Sequence, residues 1–170
     1  MAQQFTSKAT SINRDKLPAV FKKANFSARL IFDYGAGKYT EHIDEYVRSV
    51  HKTYLPYDPY NLPDDVNSFS VTLTINAMYL HMPVDVVCSN VLNVIDDDET
   101  VQKVARHIEE IVQGTGGRGF VTVYEGNRSG DGRQTGPDQF QRNAPLKSYL
   151  RFFRNASIKN GMIVVEQIPC

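Results

Sequence analysis

The segment at residues 30–38 constrains the fold of this chain more than any other. Its sequence, LIFDYGAGK, runs from apolar residues to Asp33 and then to two glycines one residue apart, Gly35 and Gly37. Residues 40–50 follow, with apolar side chains at helical spacing. The pattern predicts a strand, a tight turn and a helix. An open α/β sheet presents a nucleotide-like ligand in this way, at the carboxyl end of its first strand.

An acidic residue, Asp58, follows the glycine turn at ~20 residues, the spacing of the ribose-binding acid in dinucleotide-type folds. It comes directly after a predicted strand at residues 53–57, which Pro56 marks as edge-like or irregular. A carboxylate accepts hydrogen bonds through two oxygens and suits the two hydroxyls of a ribose. We therefore expect Asp58 to bind ribose. The alternative is a turn-forming aspartate before Pro59.

The composition limits the class of protein. The chain has 170 residues, which is enough for one domain, and residues 1–10 are expected to be a polar N-terminal arm. Its 19 basic and 19 acidic residues cancel, so overall charge does not favour nucleic acid. Two distant cysteines, Cys88 and Cys170, suggest neither a disulfide framework nor a metal cluster. No stretch is apolar and long enough to span a bilayer, so we expect a cytoplasmic protein without membrane contact.

Strand-like and helix-like patterns alternate along the rest of the chain. Strands are predicted at residues 28–33, 71–75, 84–88, 119–124 and 162–168. The alternation predicts an α/β fold with a doubly wound, mostly parallel sheet of about six to seven strands. The pair Asn160-Gly161 is a hairpin signal, so the last strand is expected to be antiparallel.

The clearest predicted helix starts at the acidic run of residues 96–99. Asp96 followed by Glu99 has the form of a capping box, which explains the cluster better than a metal site does. Glycines at 114–117 end the helix. His107 falls on its polar side and is expected to face solvent. The apolar stripe consists of Val101, Val104, Ala105, Ile108, Ile111 and Val112.

Three less regular stretches complete the chain. Residues 11–21 predict a short helix near Pro18 that packs against the sheet edge, or else a flap over a substrate site. Residues 125–139 read as a polar loop, where Arg128 and Arg133 either meet an anion or stay solvated. Another helix is predicted to start near Pro145.

The sequence Asp33-Tyr34-Gly35-Ala36-Gly37 resembles the first motif of class I S-adenosylmethionine-dependent methyltransferases. The resemblance covers residues 30–124 and implies a Rossmann-like methyltransferase fold with S-adenosyl-L-methionine as cofactor. Asp58 matches the family's acid at the end of the second strand, and residues 86–95 look like its fourth strand and the following turn. The cofactor-binding residues that the resemblance implies are Asp33, Tyr34, Gly35, Gly37, Asp58, Pro59, Ser89 and Asn90.

A subgroup of that family, linked to DNA-modification loci, is similar at the Asp-Pro pair, at residues 91–95 and at residues 8–12. The chain departs from the family in having Tyr39 where a third glycine is often found. It lacks the Asp/Asn-Pro-Pro-aromatic motif of enzymes that methylate exocyclic base nitrogens. It also lacks the Pro-Cys nucleophile of cytosine-C5 enzymes, and Cys88 is expected in the core. The main alternative for the turn is a nicotinamide dinucleotide site, whose third glycine would fall at Thr40.

The resemblance does not identify a catalytic group, because methyl transfer depends mainly on placing the acceptor in line with an already activated methyl group. The candidates near the acceptor are Asn90, Tyr34 and Arg142. Two other functions stay open: a lyase or hydrolase that consumes S-adenosylmethionine without an acceptor, and a non-catalytic binding module.

The acceptor and the oligomeric state are not predicted. Basic residues concentrate in the last third of the chain, where they form either a phosphate-facing patch for nucleic acid or an ordinary charged surface. They are Arg128, Arg133, Arg142, Lys147, Arg151 and Arg154.

Overall fold

A computed structural model describes residues 3–6 and 15–168. Residues 8–12, where the sequence resembles the DNA-modification subgroup, and Cys170 lie outside the described part. The helices are α1 (Ala19–Lys23), α2 (Glu41–Ser49), α3 (Asp64–Tyr79) and α4 (Asp98–Thr115), with 3-10 helices at Leu92–Val94 and Leu146–Phe152. The strands are β1 (Leu30–Tyr34), β2 (Thr53–Tyr57), β3 (Val84–Ser89), β4 (Gly119–Thr122), β5 (Gly132–Gly136), β6 (Gln139–Arg142), β7 (Ala156–Lys159) and β8 (Met162–Val165).

Six strands form one sheet in the order β2-β1-β3-β4-β8-β7. Strands β1 to β4 are parallel, whereas β8 is antiparallel to both of its neighbours. The α/β fold with a mostly parallel sheet is confirmed; within residues 3–6 and 15–168 the sheet has six strands rather than seven. Asn160 and Gly161 both have positive φ angles, as a two-residue hairpin turn requires, and they join β7 to β8. The predicted antiparallel last strand is confirmed. Strand β2 lies at the sheet edge, where Pro56 can be tolerated.

Helices cover both faces of the sheet. On one face, α3, α4 and the Leu146–Phe152 helix pack over side chains such as Phe32 and Val86. On the other face, α1 and α2 pack over Ile31 and Val87. Because side chains alternate along a strand, β1 and β3 each contribute to two separate cores.

Helix α1 lies on the face of the sheet and not at its edge. Pro18 precedes it as predicted, and Val20 and Phe21 are buried. They belong to the same cluster as Ile31 and Phe120 of the central strands, so the predicted packing against the sheet edge is wrong. Packing over central strands removes more apolar surface from water than an edge offers. Val20 and Phe21 are therefore part of the core and do not form a flap, and residues 11–14 of the predicted segment lie outside the described part.

Helix α3 replaces the strand predicted at residues 71–75. The prediction rested on the alternation of Val71, Leu73 and Ile75 with threonines. The buried positions are instead three or four residues apart, as on a helix: Asn67, Ser70, Thr74 and Ala77. The alternation of apolar residues and threonines over five residues gave a wrong prediction here, because several of the buried positions of the helix are polar.

Helix α4 confirms the predicted amphipathic helix but begins differently. Asp97, not Asp96, is its N-cap, and its carboxylate accepts a hydrogen bond from the backbone nitrogen of Thr100 at 2.7 Å. The predicted box of Asp96 and Glu99 is thus displaced by one residue. Gly116 at φ 80° ends the helix as expected.

Residues 125–139 are not a simple loop. Strands β5 and β6 form an antiparallel hairpin over residues 132–142, in which β5 is largely exposed and β6 is half-buried, with a register irregularity between Gln134 and Gly136. The hairpin contains few apolar residues, and for this reason the sequence pattern predicted a loop. The helix after Pro145 is confirmed in position and is a 3-10 helix. In the described part of the chain, no helix is long and apolar enough to cross a bilayer.

Candidate functional site

The strand order creates a topological switch point at the carboxyl ends of β1 and β3, and we call the region between these two strand ends the crevice. From β1 the chain passes to β2 on one side, and then returns to β3 on the other side of β1. The segments that leave β1 and β3 therefore diverge, and such a switch point is where open α/β sheets bind ligands. The predicted residues after β1, β2 and β3 all lie along this edge.

The glycine turn is held against the end of β2. Gly35 has φ +79°, and its backbone nitrogen donates to the carbonyl of Tyr57 at 2.8 Å. Gly37 has φ +73°, and its nitrogen donates to Oδ2 of Asp58 at 2.9 Å. A Cβ on Gly35 would lie 2.4 Å from Cγ2 of Val91, so side chains are excluded by both backbone angle and space.

Asp58 is buried to 7% exposure and its carboxylate is heavily hydrogen-bonded. Besides Gly37, the backbone nitrogens of Tyr60 and Asn61 donate to Oδ1 at 3.0 and 3.1 Å. The amide of Asn61 donates to both oxygens at 3.0 Å. A ribose diol at this carboxylate would have to take the place of the Asn61 amide, which is its only side-chain donor among the described residues.

Two asparagines that the sequence reading missed support Asp58. Asn67 on α3 accepts from the backbone nitrogen of Asp58 at 2.8 Å and donates to its carbonyl at 3.1 Å. Asn61 comes three residues after Asp58, a spacing that is typical of aspartate turns and could have identified it. Nothing in the sequence indicated Asn67, because it acts across nine residues and from a buried helix face.

Residues 3–6 lie across the crevice. Both the nitrogen and Oγ1 of Thr6 donate to Oδ1 of Asn61 at 2.9 Å. The amide of Asn61 also donates to the carbonyl of Gln4 at 3.1 Å, and the nitrogen of Gln3 donates to the carbonyl of Val94 at 3.2 Å. This short strap therefore bridges the segments after β2 and β3.

Asp33 occupies the carboxyl half of β1 and is 3% exposed. The hydroxyl of Tyr54 donates to its Oδ2 at 2.6 Å. Burial raises the pKa of this carboxyl to about 7; the Tyr54 hydrogen bond opposes the rise and the negative charge of Asp58 adds to it. Asp33 is thus near half ionisation at neutral pH.

Tyr34 points to the opposite face of the sheet from Asp33. Its hydroxyl lies 3.1 Å from Nδ1 of His107, and its ring contacts those of Phe32 and Tyr57. Burial raises the pKa of the Tyr34 phenol, so it stays protonated near neutral pH. His107 is exposed, as predicted, and also contacts Tyr34. The direct role predicted for Tyr34 stays a prediction.

The turn after β3 supplies the remaining predicted residues. Asn90 is exposed at φ 59°, and its nitrogen donates to the carbonyl of Thr122 at 2.8 Å. Oγ of Ser89 accepts from Oγ1 of Thr122 at 3.2 Å. Pro59 is exposed beside Asp58. All three line the same edge as the glycine turn.

Arg142 lies at the end of β6 and connects it to the start of α4. Its guanidinium donates to the carbonyls of Ile95 and Asp96 at 2.9 Å each and to Oδ1 of Asp98 at 2.6 Å. Arg151 donates to Oδ2 of the same Asp98 at 2.6 Å. These contacts account for both side chains structurally.

Another basic residue of the last third of the chain, Arg128, also has an acidic partner. Arg128 pairs with Glu125 at 2.5 Å, so part of the predicted patch is neutralised locally.

Cys88 is fully buried, and burial raises the pKa of its thiol, as expected of a core cysteine. Across residues 3–6 and 15–168, no three His, Cys, Asp or Glu side chains are grouped to hold a metal ion.

The chain matches no model of a known protein family and no curated protein sequence.

Proposed function

We propose that the chain binds S-adenosyl-L-methionine in the crevice between β1 and β3 and transfers its methyl group to an acceptor. The observation that carries the proposal is the Gly35–Gly37 turn at the switch point of the sheet, fixed by Asp58 at the end of β2. A turn with two positive φ angles brings backbone, and no side chain, to the place where a nucleotide-like ligand binds.

The donor set suits this cofactor. The carboxylate of Asp58 can accept from both ribose hydroxyls once the Asn61 amide moves aside. Asp33 and Tyr54 lie next to the turn and supply a carboxyl that a nearby cation favours in its charged form. When bound, S-adenosylmethionine supplies a methyl group that is already activated by the sulfonium.

The residues of the chain then have to hold an acceptor in line and exclude water. Asn90, exposed in the turn after β3, is the candidate nearest to that task on the crevice side. The strap of residues 3–6 covers the crevice and is placed to limit the entry of water.

Isothermal titration calorimetry tests the cofactor. We expect binding of S-adenosylmethionine and S-adenosylhomocysteine but not of NAD. Asp58→Asn should weaken binding about tenfold or more, because one buried acceptor of the diol becomes a donor. Asp138→Asn, the same change on the exposed hairpin, should leave affinity unchanged. Failure of the folded wild-type protein to bind either ligand would refute the proposal.

Mass spectrometry separates transfer from breakdown. Incubated alone with the protein, S-adenosylmethionine should stay intact if an acceptor is required. Loss of the ligand without an acceptor would replace methyl transfer by lyase or hydrolase activity.

The charge on Asp33 gives a second test. Its pKa of about 7 means that a bound cation should displace its proton near neutral pH. Calorimetry at pH 7 in buffers of different ionisation enthalpy should detect more proton release with S-adenosylmethionine than with S-adenosylhomocysteine, which lacks the sulfonium. Asp33→Asn should remove that difference.

A further inference from the structure

The strap of residues 3–6 lies directly on the glycine turn. A Cβ on Gly37 would be 3.3 Å from Oγ1 of Thr6, so the threonine side chain lies against this glycine. At its other end the strap is held by the segment after β3, where the nitrogen of Gln3 donates to the carbonyl of Val94 at 3.2 Å. The strap therefore occupies the place from which a nucleotide-like ligand would approach the backbone of the turn.

Asn61 joins the strap to Asp58. Its Nδ2 donates to both carboxylate oxygens of Asp58 at 3.0 Å and to the carbonyl of Gln4 at 3.1 Å. Its Oδ1 accepts from the nitrogen and from Oγ1 of Thr6 at 2.9 Å each. An amide side chain has two N–H donors and one oxygen with two lone pairs, so Asn61 uses its full hydrogen-bonding capacity. One side chain thus connects the carboxylate that we expect to bind ribose with the segment that covers the turn.

The strap and the side chain of Asn61 can move as one unit, which we call the gate. The three hydrogen bonds between Asn61 and the strap do not involve Asp58. A ligand that takes the Asp58 carboxylate therefore breaks only the contacts between Asn61 and Asp58. Within the strap, Gln4 and Phe5 are exposed, Phe5 at 67%, so little buried apolar surface holds the gate down. Segments with few buried apolar contacts open at a low free-energy cost.

We propose that the gate controls the entry of the cofactor into the crevice, an inference that rests on the proposed function. When the gate is shut, Asn61 occupies the carboxylate of Asp58 and Thr6 covers Gly37, so neither the ribose nor the rest of the ligand reaches its place. When the gate is open, both are accessible. Once the ribose hydroxyls occupy Asp58, the gate can close again only over the ligand, where it limits the entry of water.

Surface plasmon resonance with S-adenosylhomocysteine tests the gate. Deletion of residues 2–6 removes the strap, and Asn61→Ala removes the side chain that holds it. If the gate is shut in about nine molecules of ten, each variant should raise the association rate constant about tenfold, because only the open fraction binds. Asn155→Ala is the matched control. The Asn155 amide donates to two backbone carbonyls just before β7, at the amino edge of the sheet, and its loss should leave the rate constant unchanged.

A tryptophan on the strap reports the movement itself. The chain contains no tryptophan, so Phe5→Trp supplies a single emission signal on an exposed position of the strap. We expect this emission to change on addition of S-adenosylhomocysteine, at the same rate as ligand binding. Tyr79→Trp, at an 81% exposed position at the end of α3, should show no change.

The outcomes separate the gate from the proposed function. Equal association rate constants in the wild type and both variants, with the ligand bound by all three, would overturn the gate and leave the cofactor proposal standing. An unchanged emission from Phe5→Trp while the ligand binds would overturn it as well. Absence of binding by the wild type and by both folded variants would refute the proposed function, and the gate with it.

Discussion

Two buried aspartates on neighbouring strands, Asp33 on β1 and Asp85 on β3, have opposite surroundings. Both point to the face covered by α1 and α2. Asp85, near the amino end of its strand, accepts from the backbone nitrogens of Ser27, Ala28 and Arg118 at 2.7 to 3.0 Å. Asp33, near the carboxyl end, accepts from the hydroxyl of Tyr54. The first carboxylate connects the starts of three strands, whereas the second lies beside the glycine turn.

The difference separates a structural carboxylate from one suited to respond to a ligand. Fixed backbone donors replace the hydrogen bonds that water would make to a buried carboxylate, as at Asp85. A carboxylate that is buried with a single hydroxyl donor loses most of its hydration, and its pKa rises, here to about 7 for Asp33. Its charge can then change on binding of a cation. The aspartate at the amino end of the sheet connects strand starts, and the aspartate at the carboxyl end lies where we propose that the ligand binds.

The largest effect is expected at Asp85. Asp85→Ala leaves three backbone nitrogens without their acceptor in a fully buried place, which should lower the free energy of unfolding by about 4 kcal/mol. Urea denaturation measures it. Asp85→Asn retains one acceptor oxygen and should cost less. A loss of stability no larger than that of an exposed control such as Asp138→Ala would show that Asp85 does not have the structural role assigned to it.

The pH dependence of Asp33 comes next. Its folded pKa, about 7, lies above the usual 3.8, so the folded state binds the proton more tightly. The stabilising contribution is therefore complete below pH 4 and decreases as the pH rises towards 7. Between pH 5 and pH 7 the free energy of unfolding should fall by roughly 2 kcal/mol more in the wild type than in Asp33→Asn. Parallel pH profiles of the two proteins would contradict the assigned pKa.

The effect at Asp58 should be smaller than at Asp85 or Asp33. Asp58→Asn removes one carboxylate oxygen from the turn around Gly37 and Asn61, and we expect a loss of about 1.5 kcal/mol. The loss is smaller than at Asp85 because Asp58→Asn keeps one acceptor oxygen, whereas Asp85→Ala removes both. Thermal and urea unfolding of Asp58→Asn and Asp138→Asn compare the two. A cost equal to that of Asp85→Ala would place Asp58 in the structural class.

The smallest effect is expected from the Tyr54 hydroxyl. Tyr54→Phe removes the donor to Asp33 and should cost about 1 kcal/mol at pH 8, where the carboxylate is charged. At pH 5, where Asp33 is protonated, the cost should be smaller. Urea denaturation at both pH values measures the difference. Tyr46→Phe provides a control, since the Tyr46 hydroxyl donates to the carbonyl of Phe21, which does not titrate. A cost equal at both pH values would contradict the role of Tyr54.

Strong local patterns predicted the first half of the fold well. The apolar run into Gly35, the strand at Thr53–Tyr57 and the strand starting at Val84 were placed nearly as observed. Helix α4 was evident because its apolar stripe repeats over several turns. The turn at Asn160 and Gly161 predicted the antiparallel last strand from two residues, since few residue pairs adopt those backbone angles.

Weaker patterns failed where distant parts of the chain decide the structure. The strand predicted at residues 71–75 is part of α3, whose buried side is polar. The loop predicted at residues 125–139 leads into a hairpin of residues 132–142, which is formed by strand pairing and has few apolar residues to signal it. The N-cap of α4 is one residue later than predicted, because two adjacent aspartates give the same local signal.

For the candidate site, the sequence by itself determined the position of the glycine turn and of Asp58, because both depend on backbone angles and on spacing along the chain. Only the tertiary structure decided which groups surround those residues and hydrogen-bond to them. Burial sets the pKa of Asp33, the Asn61 amide covers the carboxylate of Asp58, and residues 3–6 reach the crevice. Desolvation and hydrogen bonding depend on groups that are remote in sequence, so no local pattern contains them.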